Sequence, residues 1–309
     1  MLTAWIIIFV ISLALLIKSS DWLLASSEKI GLAIGMSPFV IGVTIIAFGT
    51  SFPELISSFV AVFEHVPEVV VSNAVGSNIA NILLVIGFSV VIARKLKVTK
   101  NLIDLDLPLL AISTAFFLIT AWDGKIVFAE SVFLIFTYGV YLIFALLHPE
   151  ETVIKNIKRP KVSVRDLVLL FIGIVGLTIG AKYLIDSIIA LSDILNISAG
   201  IITITAVAFG TSLPELIVSV KAALKGKSEV ALGNVFGSNV FNVLIVVGLP
   251  GIFGTLPVDG KTFAIGLPML VISTILFIFS GISRRIHMQE GILYIFLYVL
   301  FTVKLFEVF

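Results

Sequence analysis

The sequence predicts an all-α integral membrane protein in which ten transmembrane helices form two inverted-topology repeats of five. Three observations support this fold class: the composition is strongly apolar, the apolar residues form long segments, and part of the chain is duplicated. Of the 309 residues, 59% are hydrophobic and 13% are charged, and the mean hydropathy is +1.21. A soluble domain has about 25% charged residues, so this composition requires lipid around the protein. The chain has no cysteine, which excludes disulfides and thiolate metal sites.

Ten apolar segments are long enough to cross a bilayer, which takes about 20 mostly apolar residues. The predicted spans are 2–24, 36–62, 69–92, 104–121, 126–147, 164–190, 198–224, 228–253, 262–282 and 289–307. The first segment has neither a basic start nor a cleavage site, so it is predicted to remain in the protein as a helix. A short polar linker over 148–165 separates a first five-helix half, 1–147, from a second, 166–309. None of the connections between the spans is long enough for a soluble regulatory domain.

The distribution of Lys and Arg predicts the orientation in the membrane. If the N-terminus lies outside, the loops after spans 1, 3, 5, 7 and 9 contain 15 of the 20 basic residues, and the opposite loops contain three. Cytoplasmic loops of membrane proteins carry such an excess. The sequence therefore predicts a multi-pass protein of the plasma membrane with both termini extracellular. We expect a monomer in contact with lipid and no nucleic-acid partner.

The duplicated part of the chain reveals how the two halves are related. Residues 37–91 align onto 198–252 without a gap at a constant offset of 161, with 24 identities in 55 positions. The connection inside the first copy is acidic, "EHVPE" over Glu64–Glu68, and that inside the second is basic, "KGKSE" over Lys225–Glu229. Opposite charge predicts opposite sides of the membrane, and an odd number of spans in each half requires the same inversion. Inverted repeats with broken helices are typical of secondary transporters.

Each copy contains a proline and a glutamate side by side in an apolar segment, as "AFGTSFPELISS" and "AFGTSLPELIVS". Pro53 and Pro214 each remove a helical hydrogen bond, and the freed carbonyl is tolerated in a membrane only inside protein or at a polar cavity. The carboxylates of Glu54 and Glu215 are costly in lipid and indicate function. Carbonyl, hydroxyl and carboxylate oxygens together suit hard cations such as Ca²⁺, Na⁺ and Mg²⁺. The pattern therefore predicts a cation site near the midplane.

A second polar motif follows in the next span of each copy, as "SNAVGSNIAN" and "GNVFGSNVFN". Ser77 and Asn81 are four residues apart and share one helix face, and Ser238 and Asn242 repeat this arrangement. Helices 2, 3, 7 and 8 are therefore predicted to be broken and to surround the cation site. Hydroxyl and amide residues in membrane helices also serve packing and interhelical hydrogen bonds, and both interpretations of these side chains stay open.

The paired motifs "GTSFPE" with "GSNIAN" and "GTSLPE" with "GSNVFN" resemble those of the cation/Ca²⁺ exchanger superfamily. The resemblance is to its sodium/calcium exchanger branch, and specifically to the short prokaryotic members. It implies that the divalent cation is shared by Glu54, Glu215, Thr50 and Thr211. It further implies flanking sodium sites at Ser51, Ser77, Ser212, Ser238 and the backbone carbonyls of Ala47 and Ala208. The family's first and sixth helices are expected to slide across this core.

Asn81 and Asn242 complete the predicted metal-ligand set. Some relatives carry an aspartate at the position of Asn242, so this site is expected to have two central carboxylates and not three. One Ca²⁺ would neutralise them, whereas three Na⁺ would leave a net charge of +1, which is expensive in the membrane interior. The asparagine pair also argues against potassium co-transport.

The predicted function is a secondary antiporter, not an enzyme, that exchanges Na⁺ for Ca²⁺ by alternating access and needs no cofactor. A Ca²⁺/H⁺ exchanger of the same superfamily is the alternative, although Gly76 and Gly237 stand where that branch typically has a glutamate. A cation channel is a remote alternative, because inverted repeats with broken helices favour alternating access.

Overall fold

Long α-helices make up almost all of the protein in the computed structural model, which describes residues 2–97, 106–147, 159–194 and 212–305. Within these ranges, seven helices are long and apolar enough to cross a membrane, and a bent pair of helices provides an eighth crossing. A shorter apolar helix covers Leu107–Thr120. The first part of predicted span 7 and most of the predicted linker lie outside the described residues.

The helices of the first half of the chain are α1 (Leu2–Ala33), α2 (Pro38–Thr50), α3 (Phe52–Phe63), α4 (Glu68–Ala93), α5 (Leu107–Thr120) and α6 (Phe128–Leu147). Those described in the second half are α7 (Val164–Ile194), α8 (Leu213–Leu224), α9 (Ser228–Gly251), α10 (Thr262–Ile282) and α11 (Met288–Leu305). Four short strands connect some of them: β1 (Lys95–Lys97), β2 (Lys125–Ile126), β3 (Leu256–Pro257) and β4 (Arg285–His287).

The predicted break in helix 2 is confirmed, because α2 and α3 meet at Ser51 with a bend of 42°. Ser51 has φ −88° and ψ 5°, which is not helical, and Pro53 occupies the first turn of α3. In the second half, Ser212 has nearly the same angles, φ −83° and ψ 6°, and Pro214 occupies the first turn of α8. Proline is well placed in a first turn, where no helical acceptor is available for an N–H.

The predicted breaks in helices 3 and 8 were wrong. Both α4 and α9 are continuous, and each contains a wider π-helical stretch, Asn81–Ile86 in α4 and Asn242–Val246 in α9. The reason is that no proline lies next to "GSNIAN" or "GSNVFN" to remove a hydrogen bond. A π-helical stretch inserts one residue into a helix without ending it, and it often occurs at functional sites.

Two short antiparallel ribbons join the halves of the chain. In one, β1 pairs with β4 and places Leu96 opposite Ile286; in the other, β2 pairs with β3 and places Ile126 opposite Leu256. These four side chains are almost completely buried. Each ribbon thus takes one strand from each half and directs one apolar pair into the core.

Helices α1 and α7 pack along each other through small residues. A Cβ added to Gly173 would lie 2.9 Å from the backbone nitrogen of Leu23, and one added to Gly180 would lie 3.0 Å from Leu16 Cγ. Only glycine permits this approach of the two helices. The pair is further connected by an ion pair of 2.7 Å between Lys29 Nζ and Asp166 Oδ2.

Charged side chains also connect α1 to the α8–α9 hairpin. Asp21 accepts ion pairs from Lys221, at 2.7 Å, and from Lys225, at 3.0 Å, and Glu28 pairs with Lys227. These partners lie about 200 positions apart in the sequence. Glu28 lies in the part of α1 that extends beyond residue 24, where the predicted span ended, to Ala33.

The π-helical stretch of α2, Gly42–Ile46, packs directly on the backbone of α9. A Cβ added to Gly42 would lie 2.7 Å from the carbonyl oxygen of Val230, and one added to Gly237 would lie 2.6 Å from Val43 Cα. Backbone atoms cannot move aside as the end of a side chain can. The glycines therefore set the distance between α2 and α9, and with it the position of Thr50 and Ser51.

We predict that Gly237→Ala lowers the free energy of unfolding by about 1–3 kcal/mol, because its methyl group overpacks against the Val43 backbone. The measurement is the apparent melting temperature of the purified protein in detergent. Gly139→Ala in α6 is the matched control, since a Cβ there meets nothing within 4 Å. It should melt at or above the temperature of the unsubstituted protein, because alanine favours a helix by about 0.5–1 kcal/mol. Equal melting of both variants would contradict the prediction.

Candidate cation site

The predicted site residues that the structure describes are all buried. Glu54 and Glu215 are both 0% exposed, although they are carboxylates inside a membrane protein. The others are at most 3% exposed: Ala47, Thr50, Ser51, Ser77, Asn81, Ser212, Ser238 and Asn242. Thr211 and Ala208 lie outside the described residues.

Each glutamate lies in the first turn of a helix that starts at the backbone irregularity, Glu54 in α3 and Glu215 in α8. The first N–H groups of a helix lack helical acceptors, and the helix dipole makes this end partly positive. A carboxylate at that end is therefore stabilised by roughly 0.3–1 kcal/mol, or up to about 2 kcal/mol when partly buried. This offsets only part of the cost of burial.

Hydrogen bonds join the break in the first half to the glutamate of the second half. The hydroxyl of Ser51 donates to Glu215 Oε1 at 2.8 Å, and the hydroxyl of Ser238 donates to the same oxygen at 3.4 Å. Thr50 Oγ1 lies 3.4 Å from Ser238 Oγ. Four predicted site residues from both halves thus form one connected cluster.

The carbonyl of Ala47 is occupied in this structure. It accepts the N–H of Ser51 at 2.9 Å and the hydroxyl of Thr50 at 3.3 Å. A cation could bind this oxygen only in addition to, or in place of, one of these hydrogen bonds.

Asn234 belongs to the cluster, but the sequence interpretation did not include it among the site residues. Its Oδ1 accepts the hydroxyl of Thr50 at 3.0 Å, and its Nδ2 donates to Ser219 Oγ at 2.9 Å. The side chain is fully buried and joins α9 to α2 and α8. Two signals could have identified it: Asn234 matches Asn73 in the repeat, and it lies four residues before Ser238 on the same helix face.

Asn81 and Asn242 start the two π-helical stretches and do not join the hydrogen-bonded cluster. Within the described residues, neither amide oxygen nor amide nitrogen of these two side chains has a hydrogen-bond partner. Glu215 Oε2 likewise has none there. Buried polar groups are nearly always satisfied, and leaving one unpaired costs about 1–3 kcal/mol. The oxygens are therefore available to water or to a cation, and the amide nitrogens can donate to water.

The chemistry of the cluster is that of oxygen ligands. In the part of the chain that the structure describes, no group of three or more His, Asp or Glu residues could hold a metal ion. The ligands in the cluster are the carboxylate of Glu215 with hydroxyl and amide oxygens, and Glu54 is a second buried carboxylate that no described hydrogen bond joins to the cluster. Hard cations such as Na⁺ and Ca²⁺ are bound by such ligands, and transition metals usually require nitrogen or sulfur.

Comparisons with known proteins agree with this chemistry. The model of the family described as sodium/calcium exchanger protein matches residues 4–147 and 166–306. A sodium/calcium exchanger of Methanosarcina acetivorans is 31% identical over the full length of both chains. An uncharacterized membrane protein of Methanocaldococcus jannaschii is 35% identical, covering 94% of this chain and 95% of that protein.

Solved structures give the same result for the fold. The structure of the sodium/calcium exchanger from Methanococcus jannaschii superimposes with a TM-score of 0.84 at 34% identity, and the match covers 97% of this chain and 98% of that one. A structure of the M. jannaschii exchanger NCX_Mj soaked without Na⁺ and Ca²⁺ matches with a TM-score of 0.81. The match of the family across both halves and the similarity of the whole fold lead to one conclusion: the chain belongs to the sodium/calcium exchanger family, whose members are membrane cation exchangers.

Proposed function

We propose that the protein exchanges Na⁺ for Ca²⁺ across the plasma membrane by alternating access. The observation that carries this proposal is the hydrogen bond from Ser51 to Glu215, because it unites equivalent motifs of the two halves in one buried site. The relatives named as sodium/calcium exchangers support the choice of ions. In this proposal the molecule has ten transmembrane helices in two inverted repeats, acts as a monomer and has both termini outside.

Matching helices and ribbons in the two halves support the proposed repeat. Helices α3 and α8 each have 12 residues, start 161 positions apart and place a glutamate in the first turn. Their internal symmetry extends to the ribbons, since β1 and β2 of the first half pair with β4 and β3 of the second. A twofold axis that exchanges the two halves would place the β1–β4 ribbon on the β2–β3 ribbon. An inverted pair of this kind gives a protein two related conformations, one open to each side.

The central ligands in this proposal are the carboxylates of Glu54 and Glu215, with hydroxyls from Thr50 and Ser51. Together the carboxylates carry a charge of −2, which one Ca²⁺ neutralises. Sodium ions would use the same oxygens, with Ser77, Ser212, Ser238, Asn81 and Asn242 as additional ligands. Because the two ions compete for shared carboxylates, and because unbalanced charge is costly within the membrane, the protein should change conformation only when it is loaded.

A continuous pore does not fit the arrangement as well. The cluster is built from fully buried groups that bond directly to one another across the two halves. A channel requires weak binding at several sites along an open path, so that ions leave quickly. A closed cluster around a buried carboxylate favours tight binding followed by a conformational change.

We predict that Ca²⁺ uptake into proteoliposomes requires an opposing Na⁺ gradient. Purified protein is reconstituted into vesicles loaded with Na⁺, and uptake of radioactive Ca²⁺ is followed while Na⁺, K⁺ and H⁺ gradients are varied separately. Uptake should saturate and should follow Na⁺ alone. Uptake that follows the pH gradient and ignores Na⁺ would establish Ca²⁺/H⁺ exchange instead, and an ohmic single-channel current would establish a channel.

We predict that Glu54→Gln and Glu215→Gln each lower the exchange rate by about 100-fold or more, because Ca²⁺ would keep an unbalanced positive charge in a low-dielectric site. The rate is measured in the same vesicles. Glu130→Gln is the matched control: Glu130 Oε2 accepts the backbone N–H of Val127 at 2.8 Å at the start of α6, and glutamine can make this bond as well. Normal exchange by either Glu54→Gln or Glu215→Gln would remove that residue from the site.

We predict that Asn234→Ala raises the Ca²⁺ concentration for half-maximal exchange by about 10-fold, because residues that orient metal ligands typically contribute 10–100-fold in affinity. Asn234 should act by orienting Thr50, because its Oδ1 accepts the Thr50 hydroxyl. The double variant with Asn234→Ala and Thr50→Ala should therefore bind Ca²⁺ about as weakly as the variant with Thr50→Ala alone. Thr50→Ser keeps the hydroxyl and should bind Ca²⁺ nearly normally. Fully additive effects of the two alanine substitutions would contradict this role.

A further inference from the structure

The β1–β4 ribbon has a cationic face. Successive residues of a strand point to opposite sides, and residues directly opposite each other in a ribbon point to the same side. Since Leu96 and Ile286 are buried, their neighbours in both strands share the outer face. All four of these neighbours are exposed and basic: Lys95, Lys97, Arg285 and His287.

Among the described residues, the charges on this face have no ion-pair partner. Lys97 lies directly opposite Arg285, and like charges at such positions destabilise a ribbon. The neighbouring carboxylate of Glu290 accepts the backbone N–H of His287 at 2.7 Å. An external anion would therefore relieve the repulsion.

The second ribbon shows that the fold does not require these cations. It has the same kind of buried apolar pair, Ile126 opposite Leu256, and the same antiparallel pairing. Its other pair is Lys125 opposite Pro257, which provides one cation. The four basic side chains of the β1–β4 ribbon are thus additional to what the ribbon needs for folding.

A groove of about 320 Å³ next to Lys97 is not a comparable anion site. It is lined by Lys97 and Lys227, but also by Glu28 and Glu229. Lys227 already pairs with Glu28. The two lysines and two glutamates of this groove balance one another, so part of the charge of Lys97 is compensated there. The positive charge of the outer face is therefore carried mainly by Lys95 and Arg285.

The ribbon also lies next to an apolar surface that faces lipid. It connects the ends of three membrane helices: β1 follows α4, and β4 lies between α10 and α11. Large apolar side chains are exposed at each of these ends, with Ile92 at 46%, Ile282 at 54% and Met288 at 41%. We infer that the β1–β4 ribbon binds the headgroup of an anionic phospholipid, whose phosphate contacts the cations while its acyl chains lie along these side chains. A soluble phosphate would use the charges but would leave the apolar surface unused.

The test is a tryptophan reporter placed beside the ribbon. Trp5, Trp22 and Trp122 are replaced by phenylalanine, and Ile282→Trp provides the only indole. The protein is reconstituted with brominated phosphatidylglycerol or brominated phosphatidylcholine in both leaflets, and quenching gives the relative binding of the two lipids. We expect a preference of at least about 5-fold for phosphatidylglycerol, the contribution of one cation near an anionic surface. Because both leaflets contain the lipid, the direction of insertion does not affect the result.

Matched variants make the outcome decisive. Lys95→Gln, Lys97→Gln and Arg285→Gln together should reduce the preference to about 1, and rising NaCl concentration should reduce it in the protein with the basic residues intact. Phe253→Trp, which places the only indole near the β2–β3 ribbon, should report equal quenching by both lipids. Equal quenching at Ile282→Trp, or a preference that survives both neutralisation and salt, would overturn the proposal. Loss of the preference on addition of inorganic phosphate at constant ionic strength would show that the face binds soluble phosphate instead.

Discussion

The burial of two carboxylates inside the membrane is the constraint on which the rest of the structure depends. Glu54 and Glu215 are fully buried, and an unpaired carboxylate in such a place would cost several kcal/mol or more. The fold reduces this cost in three ways: both glutamates lie at helix N-termini, hydroxyl groups donate to Glu215, and oxygen atoms remain available for a cation. The remaining cost provides the driving force for binding a positively charged substrate.

The backbone around the site follows from the same constraint. A straight helix would use every carbonyl internally and would present no helix N-terminus near the midplane. Ser51 separates two helices within one span, and Pro53 and Pro214 each lie in the first turn of the helix that carries the glutamate. Gly42 and Gly237 then bring α2 close to α9, so that Thr50 can reach Asn234 and Ser238. Proline, glycine and glutamate in these motifs therefore act together: one occupies the first turn of the helix, one permits the contact, and one supplies the charge.

The sequence predicted those parts of the fold that depend on local chemistry. Proline next to glutamate predicted the break at Ser51, and the apolar runs predicted most membrane helices. The continuous helices α4 and α9 could not be predicted, because whether a helix breaks or widens into a π-helical stretch depends on its packing against neighbours. The length of α1 was missed because the prediction followed the apolar segment, whereas the helix continues through polar residues such as Glu28, which pairs with Lys227.

Within the candidate site, the sequence predicted side chains that the structure shows to be buried, but it did not single out Asn234. The repeat and the spacing to Ser238 mark Asn234 as a candidate, but packing asparagines share both signals, and its contacts with Thr50 and Ser219 are what place it in the cluster. The ribbons escaped prediction because each pairs strands from distant parts of the chain, and two or three residues carry too little pattern to be recognised.

Comparison of the two halves distinguishes the site motifs, which both copies share, from the surface elements, which differ in charge between the copies. The motifs that hold the glutamates, serines and asparagines are nearly identical in both copies, as the proposed exchange between two conformations would require. The connections and ribbons differ in charge between the copies: one hairpin is acidic and the other basic, and one ribbon has four basic side chains on its face while the other has one. Two halves with the same surface charges would give the protein no preferred orientation in the membrane. Charge on the surface elements breaks this symmetry without altering the buried oxygens, so the orientation of the protein and the binding of its ions can vary independently.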